Sequence, residues 1–209
     1  MADHSTDDDL IVLPWWHSKL NLALCGLIAL LLGATSGFVL RGPDSMVSHN
    51  RIDVGFLQDM RIHHEQAVTM SIVYMGAAPQ GKPLLRQIAR EITVDQALES
   101  GRMVQMLRIF QEKETNESDL VMGWMGTPID LSKMPGYATD AELDALYKAR
   151  NAEADKIFAT LMIAHHQGAL HMAEFVRDNG QNKEVRALSR AIIDSQTSEI
   201  KELEKILAQ

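Results

Sequence analysis

The chain contains one stretch twice, and that repetition restricts its possible folds more than any other feature. The first copy, Asp53 to Met70, reads D-V-G-F-L-Q-D-M-R-I-H-H-E-Q-A-V-T-M. The second, Asp155 to Met172, reads D-K-I-F-A-T-L-M-I-A-H-H-Q-G-A-L-H-M. Aligned, Asp53 matches Asp155, Phe56 matches Phe158, Met60 matches Met162, His63-His64 matches His165-His166, Ala67 matches Ala169 and Met70 matches Met172. At about 100° per residue these positions share one helical stripe roughly 120° wide. The correspondence continues downstream, where Arg90, Ile92, Gln96 and Glu99 match Arg190, Ile192, Gln196 and Glu199. Met103 and Met106 line up with Leu203 and Ile206. The repeated unit is therefore a helical hairpin, used over residues 50–112 and 152–208. Two amphipathic hairpins bury their stripes most simply against each other, so the expected fold is all-α, a four-helix bundle. No stretch reads as β.

Helical periodicity predicts helices over Ser48–Tyr74 and Leu84–Glu112, with a turn at Ala77–Pro83 between them. A linker over 113–138 carries Gly123, Gly126, Pro128, Pro135 and Gly136. Thr139-x-x-Glu142 is a capping-box signature for a short helix ending near Ala149. Two more helices follow, Ala152–Arg177, stopping at Asp178-Asn179-Gly180 as a C-cap, and Lys183–Ala208. Ahead of all this, residues 1–19 hold a polar tail with Asp3, Asp7, Asp8 and Asp9, expected to be disordered. Residues 20–40 form an uncharged apolar run between Lys19 and Arg41, with Trp15, Trp16 and His17 at its edge. Such a run matches the roughly 20 residues of one membrane-spanning helix. A signal peptide cut near Ala34-Thr35-Ser36-Gly37 is the alternative, but the acidic tail and the length of the run favour an uncleaved anchor. Gly42-Pro43-Asp44 reads as a break before the helical region, 41–209.

A net charge of −8 excludes nucleic acid as a partner, since phosphate binding needs a basic face. One cysteine, Cys25, excludes a disulfide framework and any thiolate metal motif. Soft metal ligation would have to come from the twelve methionines and eight histidines.

The stripe supplies such a set: His63, His64, Met60 and Met70 from one copy, and His165, His166, Met162 and Met172 from the other. Adjacent histidines point about 100° apart, so each pair can straddle its stripe and face two neighbouring helices. Thioether with imidazole suits Cu(I) best, while imidazole alone also suits Cu(II) or Zn(II). Methionine is also an ordinary core filler, and a buried histidine can simply be a satisfied polar group. Gln96, Glu99, Gln196 and Glu199 lie on the core-facing sides of their helices. They are expected to pair with the histidines and fix their tautomers, with Glu99 and Glu199 as direct oxygen ligands the alternative. A di-iron carboxylate site would need Glu three residues before each histidine pair, where Met60 and Met162 stand. His171, about 180° from Met162, falls off the stripe. Met122, Met125 and Met134 in the linker form either a hydrophobic cap or a possible loop site for Cu(I). No nucleophile set, phosphate loop or organic cofactor motif is present.

The doubled Phe-x3-Met-x2-His-His-x2-Ala-x2-Met pattern, with Gln96-x2-Glu99 and Gln196-x2-Glu199, resembles the domain-of-unknown-function 305 family. Met134-Pro135-Gly136 and Thr139-Asp140-Ala141-Glu142-Leu143 resemble the connector of its bacterial members, with Tyr137 where the commoner connector has methionine. The resemblance covers about residues 50–208. It implies a ferritin-like four-helix bundle, exported or membrane-anchored, and in some members copper binding through Met and His. The expectation is thus a single-pass cell-membrane protein with its bundle on the extracytoplasmic side, non-enzymatic, holding copper for buffering, resistance or delivery. A cuproenzyme or respiratory membrane complex is the expected partner. A metal-free accessory subunit and a ferritin-like redox enzyme are the alternatives.

Overall fold

The structure, a computed structural model, describes residues 14–40 and 47–209. Of the expected disordered tail over 1–19, residues 1–13 lie outside the described residues, as does the break at Gly42-Pro43-Asp44; the remainder is ordered, with a 3-10 turn at Trp15–His17 and a helix starting at Lys19. Contacts divide the chain into an N-terminal unit ending at Met46 and a second unit, Val47–Gln209.

In the first unit a 3-10 turn, Trp15–His17, precedes α1, Lys19–Leu40. Lys19–Gly37 is long and apolar enough to cross a membrane, and none of that window is buried. A signal sequence would meet the same description.

The second unit holds α2 (Arg51–Ala77), α3 (Pro83–Phe110), α4 (Asp140–Lys148), α5 (Ala152–Asn179) and α6 (Lys183–Leu207). Four of these helices start where a side chain or a proline serves the free N–H groups of the first turn. Asn50 caps α2 in a capping box with Asp53, and Thr139 does the same for α4 with Glu142. Pro83 opens α3 without needing a donor partner, and Asn182 caps α6. The stop of α5 is at Gly180, whose φ of −67° any residue could adopt. Space explains this glycine instead: a Cβ there would lie 2.7 Å from Asp53 Oδ1 and from the Val176 carbonyl.

α2 packs along α3, α5 along α6, and α2 along α5, while α3 and α6 meet only lightly. α2 and α5 run antiparallel. At the start of α2, Asp53 Oδ2 accepts from the backbone N–H groups of Gln181 and Asn182 just past α5. At its end, the Tyr74 hydroxyl donates to Asp155 Oδ1 in the first turn of α5, 2.6 Å away. Asp155 Oδ2 in turn accepts from Lys82 N at the head of α3. The matched aspartates Asp53 and Asp155 therefore each cap the opposite hairpin.

The interior has two apolar clusters. One contains Met70, Tyr74, Phe158 and Met162, the other Phe56, Met60, Met103 and Met172. The four methionines of the stripe are thus split two and two, not gathered at one point. One expectation fails outright: the linker contains a small antiparallel β-pair, β1 (Leu120–Val121) with β2 (Ile129–Asp130). Two-residue strands are too short to show an alternating pattern in sequence.

Candidate metal centre

Between the two clusters lie the four histidines, all with 0% exposure. His63 and His165 stack across the α2–α5 contact with ring centroids 3.7 Å apart and planes tilted by 33°. His63 Nε2 donates to the Pro135 carbonyl at 3.2 Å, and His165 Nε2 donates to the His63 carbonyl at 2.9 Å. A carbonyl only accepts, so both rings carry their proton on Nε2. Burial, and then the neighbouring imidazole His64, holds His63 neutral, with its pKa down to about 3. Burial followed by His63 lowers His165 as well.

The other histidine of each pair turns toward its hairpin partner. His64 Nε2 donates to Glu99 Oε2 on α3 at 2.8 Å, and His166 Nε2 donates to Glu199 Oε2 on α6 at 2.6 Å. The carboxylate side chains are 17% and 21% exposed while their imidazole partners are fully buried, so each glutamate bridges solvent and interior. In all four rings Nδ1 is buried and has no hydrogen-bond partner within the protein. Gln96 and Gln196, 3% and 2% exposed, likewise leave both ends of their amides without a partner. Their expected pairing with the histidines is therefore not made; only the glutamates reach them.

Such orphaned groups are costly unless something is meant to meet them. An imidazole whose Nε2–H is held by an oxygen and whose Nδ1 lone pair is free is oriented as a metal ligand. Thioethers stand on both sides, Met60 with Met172 and Met70 with Met162. The donors fit a soft to borderline ion such as copper. Among the described residues, no three His, Cys, Asp or Glu side chains already converge on one point. His171 is exposed, as its place on the helix wheel requires.

The linker methionines do not form a free loop. Met122 and Met134 are 5% and 2% exposed and belong to the apolar cluster of Met60 and Met172, with Met125 packed against it. The residue that fastens this segment, Asp59, was not singled out from sequence. Its Oδ2 accepts from Met122 N at 2.6 Å and from Trp124 Nε1 at 2.8 Å. A carboxylate three residues after Phe56 and four before His63, on the apolar side of a helix, was the available signal. Gln66 holds the same segment, its amide both donating to and accepting from the Ala138 backbone. Opposite it, Gly168 lies directly under the Pro135 carbonyl, and a Cβ there would collide with that oxygen. Gly136, at φ 75°, rests on the backbone of Ala164 and His165 in the same way.

The family model described as Domain of unknown function (DUF305) matches residues 53–207. No curated protein matches. Among solved structures, the fold resembles a candidate secreted DUF305 protein from Streptomyces coelicolor, 34% identical with a TM-score of 0.69, over 75% of this chain and 92% of that one. A DUF305 fragment from Deinococcus radiodurans is 28% identical with a TM-score of 0.64, over 77% and 97% of the two chains. CopM in its Cu(I)-bound form is 31% identical with a TM-score of 0.54, over 73% and 93%. CopM is also solved in Cu(II)-bound and Ag-bound forms.

Proposed function

The chain belongs to the DUF305 family, and from that premise we propose that it binds copper through its buried histidines and the flanking methionines. The observation that carries this reading is the uniform state of the four imidazoles, each with Nε2 engaged by an oxygen and Nδ1 buried without a partner. Copper and silver binding by CopM, a relative at 31% identity, supports the choice of metal. The thioethers beside the rings favour Cu(I) over Cu(II). His63, His64, His165 and His166 are the ligands, joined by thioethers of Met60, Met70, Met162 and Met172, with Glu99 and Glu199 orienting the rings. We read the fold as a ferritin-like four-helix bundle of two repeated hairpins, the arrangement that brings both histidine pairs into one layer. The apolar helix Lys19–Gly37 supports a single-pass anchor with the bundle on the extracytoplasmic side, the candidate secreted relative pointing the same way. The role is buffering or delivery of copper to a membrane cuproenzyme, not catalysis. A self-satisfied polar core in an accessory subunit would pair Nδ1 as well, and Met60 and Met162 stand where a di-iron enzyme needs carboxylates.

Anaerobic Cu(I) competition titrations on the full chain in detergent test the site. His63→Ala/His64→Ala and His165→Ala/His166→Ala proteins, with helicity checked by circular dichroism, should each bind more weakly than wild type. Equal affinity in all three would overturn the buried layer as the site and point to Met122, Met125 and Met134.

A further inference from the structure

The histidine layer is enclosed on three sides. Apolar clusters close its two ends, one around Met60 and Met172, the other around Met70 and Met162. The linker closes a third side by backbone contact, with the Pro135 carbonyl seated on Gly168 and Gly136 on Ala164 and His165. No hydrated ion passes between backbones packed so closely. The fourth side is the seam between α3 and α6, the pair of long helices that touch only lightly. Its groups are polar. Glu99 and Glu199 stand there part-exposed, each bonded inward to a buried histidine. Asp95 is exposed one turn away on α3. Asp95 and Glu99, four residues apart, share one face of α3, and burial, then the carboxylates of Glu199, Glu99 and Glu91, holds the Asp95 carboxyl above its usual range. Just beneath, one turn from each glutamate and on the same helix faces, lie the unpartnered amides of Gln96 and Gln196.

We infer that cations reach the buried histidines through this α3–α6 seam, drawn in by an acidic mouth of Asp95, Glu99 and Glu199 and met inside by Gln96 and Gln196. The inference rests on the metal-binding reading above and adds the route. The mouth is an approach, not a coordination site: its oxygens attract a monovalent soft cation, and the imidazole nitrogens and thioethers retain it. The carboxylates that orient His64 and His166 thus also mark where a cation leaves water.

Uptake kinetics of Ag(I), supplied as the nitrate to the full chain in detergent and quenched with excess thiosulfate at set times, test the route. Ag(I) is a soft cation that needs no reductant. Asp95→Lys reverses a charge at the mouth without touching a ligand. It should slow uptake about three- to tenfold at about 10 mM ionic strength, with the difference fading near 1 M nitrate and the final metal content unchanged. Glu65→Lys is the control on the linker side, where Glu65 pairs with Arg61 and acts on Tyr137. It should load at the wild-type rate. Equal rates for wild type and Asp95→Lys at low salt, or a larger effect from Glu65→Lys, would overturn the seam while leaving the buried site standing. A lower final content in Asp95→Lys would make Asp95 a ligand and overturn its role as an approach. No uptake by wild type would overturn the metal-binding reading itself.

Discussion

At the scale of single residues, His63 governs how the metal-free protein responds to acid. In the unfolded chain the ring titrates near 6.5, whereas burial holds the folded ring neutral down to about 3. Between those values the unfolded state binds more protons, so stability falls as pH drops through that window and shows no contribution from this ring above it. The slope approaches about 1.4 kcal/mol per pH unit for each such histidine. Urea midpoints of metal-free protein measured from about pH 7.5 to 4.5 should decline accordingly, and less steeply in His63→Gln. An identical slope in the variant would mean the ring is not held neutral. Two glycines give an opposed pair. Gly168→Ala forces a Cβ against the Pro135 carbonyl and should destabilise by about 1–3 kcal/mol. Gly101→Ala, in an exposed interior turn of α3 with nothing near its added Cβ, should stabilise by about 0.5–1 kcal/mol. Denaturation curves that moved both variants the same way would contradict the packing described. From sequence both positions read alike, as glycines in helices; only the linker lying over one of them separates them.

At the scale of elements, the hairpins are tied by carboxylates at helix ends. Asp155 serves both the Tyr74 hydroxyl and the N-terminus of α3. A double-mutant cycle of Tyr74→Phe with Asp155→Asn should give a coupling of about 1–3 kcal/mol, and a value near zero would show that the two stabilise separately. The linker depends on α2 in the same manner. Asp59→Ala removes the acceptor of Met122 N and Trp124 Nε1, and the Trp124 ring packs edge-on to Phe56 at 6.0 Å and Phe175 at 5.7 Å. In that variant Trp124 fluorescence should shift to the red and proteolysis between Glu117 and Asp130 should quicken, with helical circular dichroism retained. Helices of this length were legible because their apolar period is sustained over many turns. The linker was not, because what orders it is Asp59 and Gln66, two polar residues of α2 with Leu161 and Gly168 at the matching places of the second copy. The repeat drew attention to what the copies share, and the linker is held by what they do not.

At the scale of the whole molecule, the sequence located the histidine layer but not its internal wiring. Spacing placed His63, His64, His165 and His166 on facing stripes, and position on the core-facing sides of their helices pointed to Gln96, Glu99, Gln196 and Glu199 as partners. It could not show that the methionines divide between two clusters, since that follows from the antiparallel contact of α2 and α5. Nor could it show that Gln96 and Gln196 stay unpaired, since that depends on distances between helices. Metal binding to the folded chain alone should raise its thermal midpoint in proportion to the logarithm of free metal. Scans with buffered Ag(I) should show a shift of several degrees in wild type and a smaller one in His165→Ala/His166→Ala. The hydrogen bond from His165 to the His63 carbonyl joins residues 102 apart in sequence. Each hairpin is built from neighbours along the chain and can form early, whereas this contact has to wait until the hairpins dock. The histidine layer is thus among the last parts of the protein to come into being during folding. Until then its two halves are separate and open to water, so any metal would meet a newly made chain under looser terms than a finished one.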